Sequence, residues 1–450
     1  GTKLSPNALL LRAIGQATET IQSIPRWFYA IFATDMANKK FADKPLYKEV
    51  VKRWAAYVGE TFQIGLTASG LPVQVYALFG GQWPHSSYMV PGGVMCAPTL
   101  KDITRAHAIM TQFKNDWLEP VWLGCTIERY LEIKSWDDML AWMEESESHK
   151  NSDLGLLIRA GLEFGLDTFG KGVGKFLAFG TYLHKDLYNN PTIEGRNKAL
   201  ISSSGFFDGE NWHEFDHLKV SEHVKHSWYN NQEDGLHPWD EPLPTPAKSQ
   251  TLHDSDFDGQ YSWAKAPRYD GHSVEAGPMA RCIMNGNPNN LDHQIKDPFF
   301  IDAYRKLGGA SVFTRVLARV HEAPRLYKLI DQWLSEIDLD GEFYIKPVEK
   351  DGKGFGATEA ARGALAHWIE IKNGVIENYQ VMAPTTWNVG PNDANGNPGP
   401  IEAALEGTDI EDPQDPVEVG MVARSFDSCL VCTVHAHDEQ SGVELSKFKL

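Results

Sequence analysis

The 450-residue chain reads as a mainly α protein of the α+β class, with a helical-bundle core carrying small β-hairpins and sheets. Three observations predict this. Several separated stretches repeat apolar side chains at three-and-four spacing; one segment carries β-branched and aromatic residues on both sides of an Asn-Gly dipeptide; and turn-rich stretches lie between them.

Taken in order, residues 7–32 place Leu10, Ala13, Ile14, Ala17, Ile21 and Ile24 along one helical face. Pro25 has no N–H and crowds the preceding turn, so it is expected to interrupt that helix. The same period predicts helices over roughly 47–66, 99–117, 153–169 and 311–336. In "FGGQWPHSSYMVPGGV", Gly80, Gly81, Gly92 and Gly93 suit backbone angles other residues avoid, and His85 reads as a structural or supporting histidine. Asn230 to Gln260 is rich in Pro, Gly and Asp, which blocks regular structure; a loop this long is as a rule functional or packed on a partner. Finally, "HWIEIKNGVIENYQV" predicts a hairpin turning at Asn373-Gly374. If Lys372 faces Val375, the continued register sets Arg362 opposite Thr385 and brings "EAARGALAH" beside "APTTWN".

Composition narrows the function. The 42 basic against 60 acidic residues give a net charge of −18, which disfavours nucleic acid or an anionic membrane surface as the main partner. No uncharged apolar run reaches the ~18 residues of a membrane span, and the first residues lack the regions of a signal peptide. Five cysteines argue against a disulfide scaffold and for a reducing, cytoplasmic setting, with any membrane attachment made through a partner. Cys96, Cys125 and Cys282 stand alone and are expected to be small buried apolar residues.

The remaining two cysteines carry chemistry. Cys429 and Cys432, two residues apart, can converge on one soft metal that keeps both as thiolates. Spacing alone leaves open half of a zinc site or a redox dithiol, and leaves His435 as either a ligand or a hydrogen-bonding histidine.

The segments "GATEAARGALAHW", "ENYQVMAPTTWNVGP", "GPIEAALEGT", "DPQDPVEVGMVARSFDSCLVCTVH", "FGGQWPHSSYMVPGGV" and "YSWAKAPRYDGHSVEAGPMAR" together resemble the large subunit of nickel-iron hydrogenases, from end to end. The closing "DSCLVCTVHAHD" looks most like the uptake enzymes of cyanobacteria. The resemblance implies the nickel-iron hydrogenase large-subunit fold and heterolytic oxidation of H2 to protons and electrons. It also implies a nickel-iron centre bearing carbon monoxide and cyanide, and a magnesium ion. By the same resemblance Cys429 is a terminal nickel ligand, Cys432 bridges nickel and iron, and Arg362 sits above the metals. Thr385 hydrogen-bonds a cyanide, and His435 and the carbonyl near Val381 serve magnesium. Asp427 and Asp35 match carboxylates near the arginine. Implied partners are an iron-sulfur small subunit, a maturation protease and nickel-insertion factors. Residues 436–450 match a tail removed on maturation, leaving His435 as the terminus. A hydrogen-sensing relative is the alternative, against which the tail argues.

Three departures accompany the resemblance. The family's N-terminal cysteine pair is absent, so residues 1–450 read as a single large-subunit domain lacking its N-terminal segment, inactive alone. Ala361 and Ser428 each stand where the family usually has proline, which loosens backbone restriction beside the arginine and the cysteine.

Overall fold

A computed structural model describes residues 2–229, 233–242, 259–348, 350–428, 433–437 and 444–449, the last two stretches by backbone alone. The chain divides into two compact units: residues 1–168, 181–202 and 285–348 form the first, and 169–180, 203–284 and 349–450 the second.

The first unit is the helical bundle. Helix α1 (Pro6–Trp27) starts where the Ser5 hydroxyl accepts from the Ala8 N–H, and it packs against α2 (Glu60–Gly80) and α3 (Val312–Ser335). All six apolar residues expected on its inner face are buried. The helix does not stop at Pro25. Flanked by neighbours on both sides, it continues to Trp27, and the irregularity emerges as a π turn over Phe28–Phe32, with the Ala33 N–H reaching the Phe28 carbonyl.

The predicted 47–66 helix is two. Tyr47–Trp54 ends in a loop where Tyr57 has φ 67°, and α2 starts after Gly59, whose absent Cβ would lie 2.4 Å from the Arg53 carbonyl oxygen. The 99–117 pattern is Leu100–Phe113, entered through a Thr99/Asp102 capping box and continued by a π stretch. The 153–169 pattern closes early, as Asp153–Glu163, before Gly165 at φ 74°. Helix α3 matches its predicted span and is capped by the buried Ser311.

Two fully buried carboxylates in this unit are satisfied. Asp153 accepts from Tyr29 Oη and from Trp54 Nε1 (3.1 Å) and pairs with Arg53 (2.6 Å). Asp297 meets His321 Nε2 and Arg325, each at 2.7 Å; burial pushes its carboxyl up, yet Arg325 and His321 together hold it well below the usual carboxylate range. Cys282, in the second unit, is buried as expected. Cys96 and Cys125 are only half-buried, because each lies in a loop and not on a core face. His85 is exposed, at φ 63°, so it supports nothing from within. Gly81 and Gly92 have positive φ, as expected.

The second unit is built on a three-stranded antiparallel sheet, β1 (Gly352–Ala360), β2 (Gly363–Lys372) and β3 (Val375–Met382), with β2 central. Its inner face, Ala364, Ala366, Trp368 and Met382, joins Leu177, Phe179, Phe206, Tyr269 and Trp387 in one core. The hairpin turns at Asn373-Gly374, both at positive φ (53° and 76°), and Asp351 accepts both N–H groups.

Its register departs from expectation. Lys372–Val375 and Ile371–Ile376 pair as predicted, but a bulge at Glu377 shifts the ladder by one residue, and it ends at Ala366–Met382. Arg362 and Thr385 therefore lie beyond the ladder and do not face each other across it. Of the 230–260 loop, residues 233–242 and 259–260 are described, and these contain neither helix nor regular strand. Close by, Lys265 is buried between Glu222 (3.4 Å) and Glu241. Burial first, and the Glu241 carboxylate second, raise Glu222 to about 8.

The backbone of β4 (Thr433–His437) pairs antiparallel with β5 (Glu444–Lys449), His435 opposite Lys447. Among the described residues no helix is long and apolar enough to cross a membrane.

Candidate active site

The site is organised by the turn between β1 and β2. Ala360 pairs with Gly363, so Ala361 and Arg362 alone make the connection, and Arg362 is carried at the tip of a tight hairpin. Gly363 has φ 129°, and a Cβ there would fall 2.6 Å from Gly277 N and 2.8 Å from Gly277 Cα. Backbone thus presses on backbone, which only glycine permits at this position.

Neighbouring residues hold both sides of that contact. Asn388 donates through Nδ2 to the Ala276 carbonyl (2.7 Å) and accepts at Oδ1 from the Ala276 N–H (3.0 Å), both buried. Asn388 lies in the last turn of the short helix Pro384–Val389, which carries Thr385 and packs on β2. Below the turn lies Arg281, from the helix Pro278–Asn285. Its Nη1 donates to the Ala360 carbonyl (2.9 Å) and its Nη2 to the Ala361 carbonyl (3.1 Å), while Nη1 also lies 3.3 Å from Glu359 Oε2. Glu359 Oε1 accepts the Phe179 N–H at 2.6 Å.

Arg362 meets Asp427. Nε stands 3.2 Å from Oδ2, an ion pair out of line for a hydrogen bond, with the Arg362 side chain 31% exposed and that of Asp427 2% exposed. Asp427 follows the helix Val417–Ser425 in a left-handed conformation (φ 52°), its N–H donating to the Arg424 carbonyl (3.0 Å). Ser428 Oγ is buried without a hydrogen-bond partner among the described residues. Cys429 and Cys432 come next and lie outside the described residues.

The structure therefore brings Arg362 and Asp427 together and places Thr385 on an element packed against β2. Val381 stands on β3 opposite His367, and His435 on β4. Asp35 belongs to the first unit, half-buried on the one-turn helix Ala33–Met36. Sequence reasoning gave no role to Gly277, Arg281, Glu359, Gly363 or Asn388. All five fall inside the motif segments, and two charged residues within otherwise small, apolar runs were the available signal.

The model of a family described as nickel-dependent hydrogenase matches residues 65–435. The chain belongs to that family. Among nickel-dependent hydrogenases it is similar to the uptake hydrogenase large subunit of Afipia carboxidovorans, 32% identical over 414 residues, covering 83% of this chain and 63% of that protein. It is also similar to the periplasmic [NiFeSe] hydrogenase large subunit of Desulfomicrobium baculatum, 29% identical over 468 residues, covering 99% of this chain and 81% of that one. Among solved hydrogenases, the reduced Ni-Fe-Se enzyme of Desulfovibrio vulgaris Hildenborough superposes with a TM-score of 0.72 at 25% identity, covering 94% of this chain and 81% of that chain. The chain spans 63 or 64% of the length of the uptake hydrogenase large subunits first among these relatives. The mainly α fold with small sheets expected from the sequence is thus the fold of nickel-dependent hydrogenases.

Proposed function

We propose that this chain is the catalytic large subunit of a nickel-iron uptake hydrogenase, oxidising H2 heterolytically and passing electrons to an iron-sulfur small subunit. The observation that carries this is the Arg362–Asp427 ion pair. It joins the arginine-bearing hairpin to the residue two places before Cys429, within a chain of this family.

The residues suit the metal group the family name implies. Cys429 and Cys432 offer paired soft thiolates, and the unbonded, buried Ser428 Oγ beside them is a polar atom that a bound polar ligand would satisfy. In this assignment Cys429 and Cys432 would hold nickel and iron, Arg362 and Thr385 would donate to cyanide, and His435 with the Val381 carbonyl would serve magnesium. The bound centre supplies the electrophile for splitting H2. The chain's own groups orient and move charge. Asp427 sets a buried carboxylate beside the Arg362 guanidinium, and the base that takes the proton would be Cys429 Sγ or that guanidine. Asp35 keeps its assignment as a functional carboxylate on the resemblance alone. A maturation protease and nickel-insertion factors act before the chain ends at His435, and the cytoplasm is the proposed compartment on the cysteine count.

The test is metal analysis and infrared spectroscopy of the chain produced together with the family's N-terminal cysteine segment and its natural partner. Nickel with iron, carbon monoxide and cyanide stretching bands, and H2-dependent dye reduction are expected. Zinc without nickel sinks the proposal.

A further inference from the structure

Arg281 and Glu359 form an ion pair whose side chains are 4% and 1% exposed. Such pairs add little net stability, because apolar residues of the same volume serve as well or better. What this pair does geometrically is specific. Two nitrogens of one guanidinium take two successive carbonyls, Ala360 and Ala361, and the carboxylate beside them reaches back to the Phe179 N–H. The next residue in the turn is Arg362. On the adjoining side Gly363 rests on Gly277, itself tied through Ala276 to Asn388. The hairpin tip is thus gripped by a fork at its carbonyls and by a backbone contact one residue on.

We infer that Arg281 and Glu359 are positioning residues, which hold the Ala360–Gly363 turn so that the Arg362 guanidinium stays in place over the site. This rests on the hydrogenase assignment above. Lysine at 281 keeps the charge but offers a single point where two carbonyls need a planar fork. A turn released by one such contact moves its guanidinium by a fraction of its own length, and displacement on that scale lowers turnover by roughly a hundredfold.

The experiment compares Arg281→Lys, Gly363→Ala and the double variant Arg281→Met/Glu359→Leu in the complete enzyme with its partner. Four quantities are read: nickel and iron content, thermal midpoint, kcat and KM for H2, and hydrogen–deuterium exchange of the peptide covering 358–366. In Arg281→Lys and Gly363→Ala we expect full metal content, unchanged KM, a kcat fall of ten- to a hundredfold and faster exchange at 358–366. The double apolar variant leaves the Ala360 and Ala361 carbonyls and the Phe179 N–H without these partners, and should show kcat lowered at least as far, with faster exchange at 358–366. Wild-type kcat and exchange in Arg281→Lys overturn the inference, as does recovery of kcat by the double variant. If Arg281→Lys fails to accumulate, Gly363→Ala disturbs the same turn without touching the ion pair, and unchanged exchange and kcat there are equally fatal. Failure of the hydrogenase assignment shows separately, as missing nickel in the unsubstituted protein.

Discussion

Arg362→Lys keeps a positive charge beside Asp427 and removes the planar group that can serve a carboxylate and a second acceptor at once. The expected outcome is near-normal nickel and iron with turnover lowered about a hundredfold, since one donor aimed at developing charge is worth that much. Single-turnover and steady-state H2 oxidation check it; undiminished turnover removes Arg362 from the mechanism. Asp427→Asn tests the other half: metal content should hold while kcat falls, because the guanidinium loses its buried counter-charge. At this scale the motifs point to Arg362 and Asp427, which the structure brings together. Arg362, Asp427 and Thr385 are named by the motifs around them. Their supports were not, because Gly277, Gly363 and Asn388 act through backbone contacts between segments roughly a hundred residues apart.

At the scale of elements, the helices were legible wherever a stripe of apolar residues had to be buried, and their ends were legible where a hydroxyl caps them, as at Thr99 and Ser311. Strand β1 was not, for a physical reason. Gly352, Gly354 and Gly356 stand on every second position, so over the first half of the strand one face has no side chains from which to read alternation. The bulge at Glu377 was equally silent; together with the end of the ladder at Ala366–Met382 it undid the predicted Arg362–Thr385 pairing. Asn388→Ala leaves the Ala276 N–H and carbonyl buried and unbonded, so unfolding in urea should show a loss of about 2–3 kcal/mol. Ser311→Ala should cost about 1 kcal/mol by the same measurement, through loss of the buried cap of α3.

For the whole molecule, the Glu222–Lys265–Glu241 cluster sets a pH dependence. Glu222 is raised when folded, so its contribution to stability is fully present below the ordinary carboxylate range and is lost as pH rises toward about 8. Glu222→Gln should flatten the decline of the thermal midpoint between roughly pH 5 and pH 8; a decline as steep as that of the unsubstituted protein refutes it.

The core of the second unit gathers Leu177 and Phe179, then Phe206 to Ala276, then Ala364 to Trp387, with residues 285–348 of the first unit intervening. Synthesis delivers these pieces in that order. On the ribosome, Phe179 gains Phe215 soon after it is made, but the core lacks Ala364 to Trp387 until some two hundred residues later, which at ~5–20 residues per second is tens of seconds of incompletely covered apolar surface. The nascent chain therefore offers chaperones a long window of recognition, and Cys429 and Cys432 are made only after Trp387, the last residue of this core. No metal can be bound by Cys429 and Cys432 until everything around them has already been made.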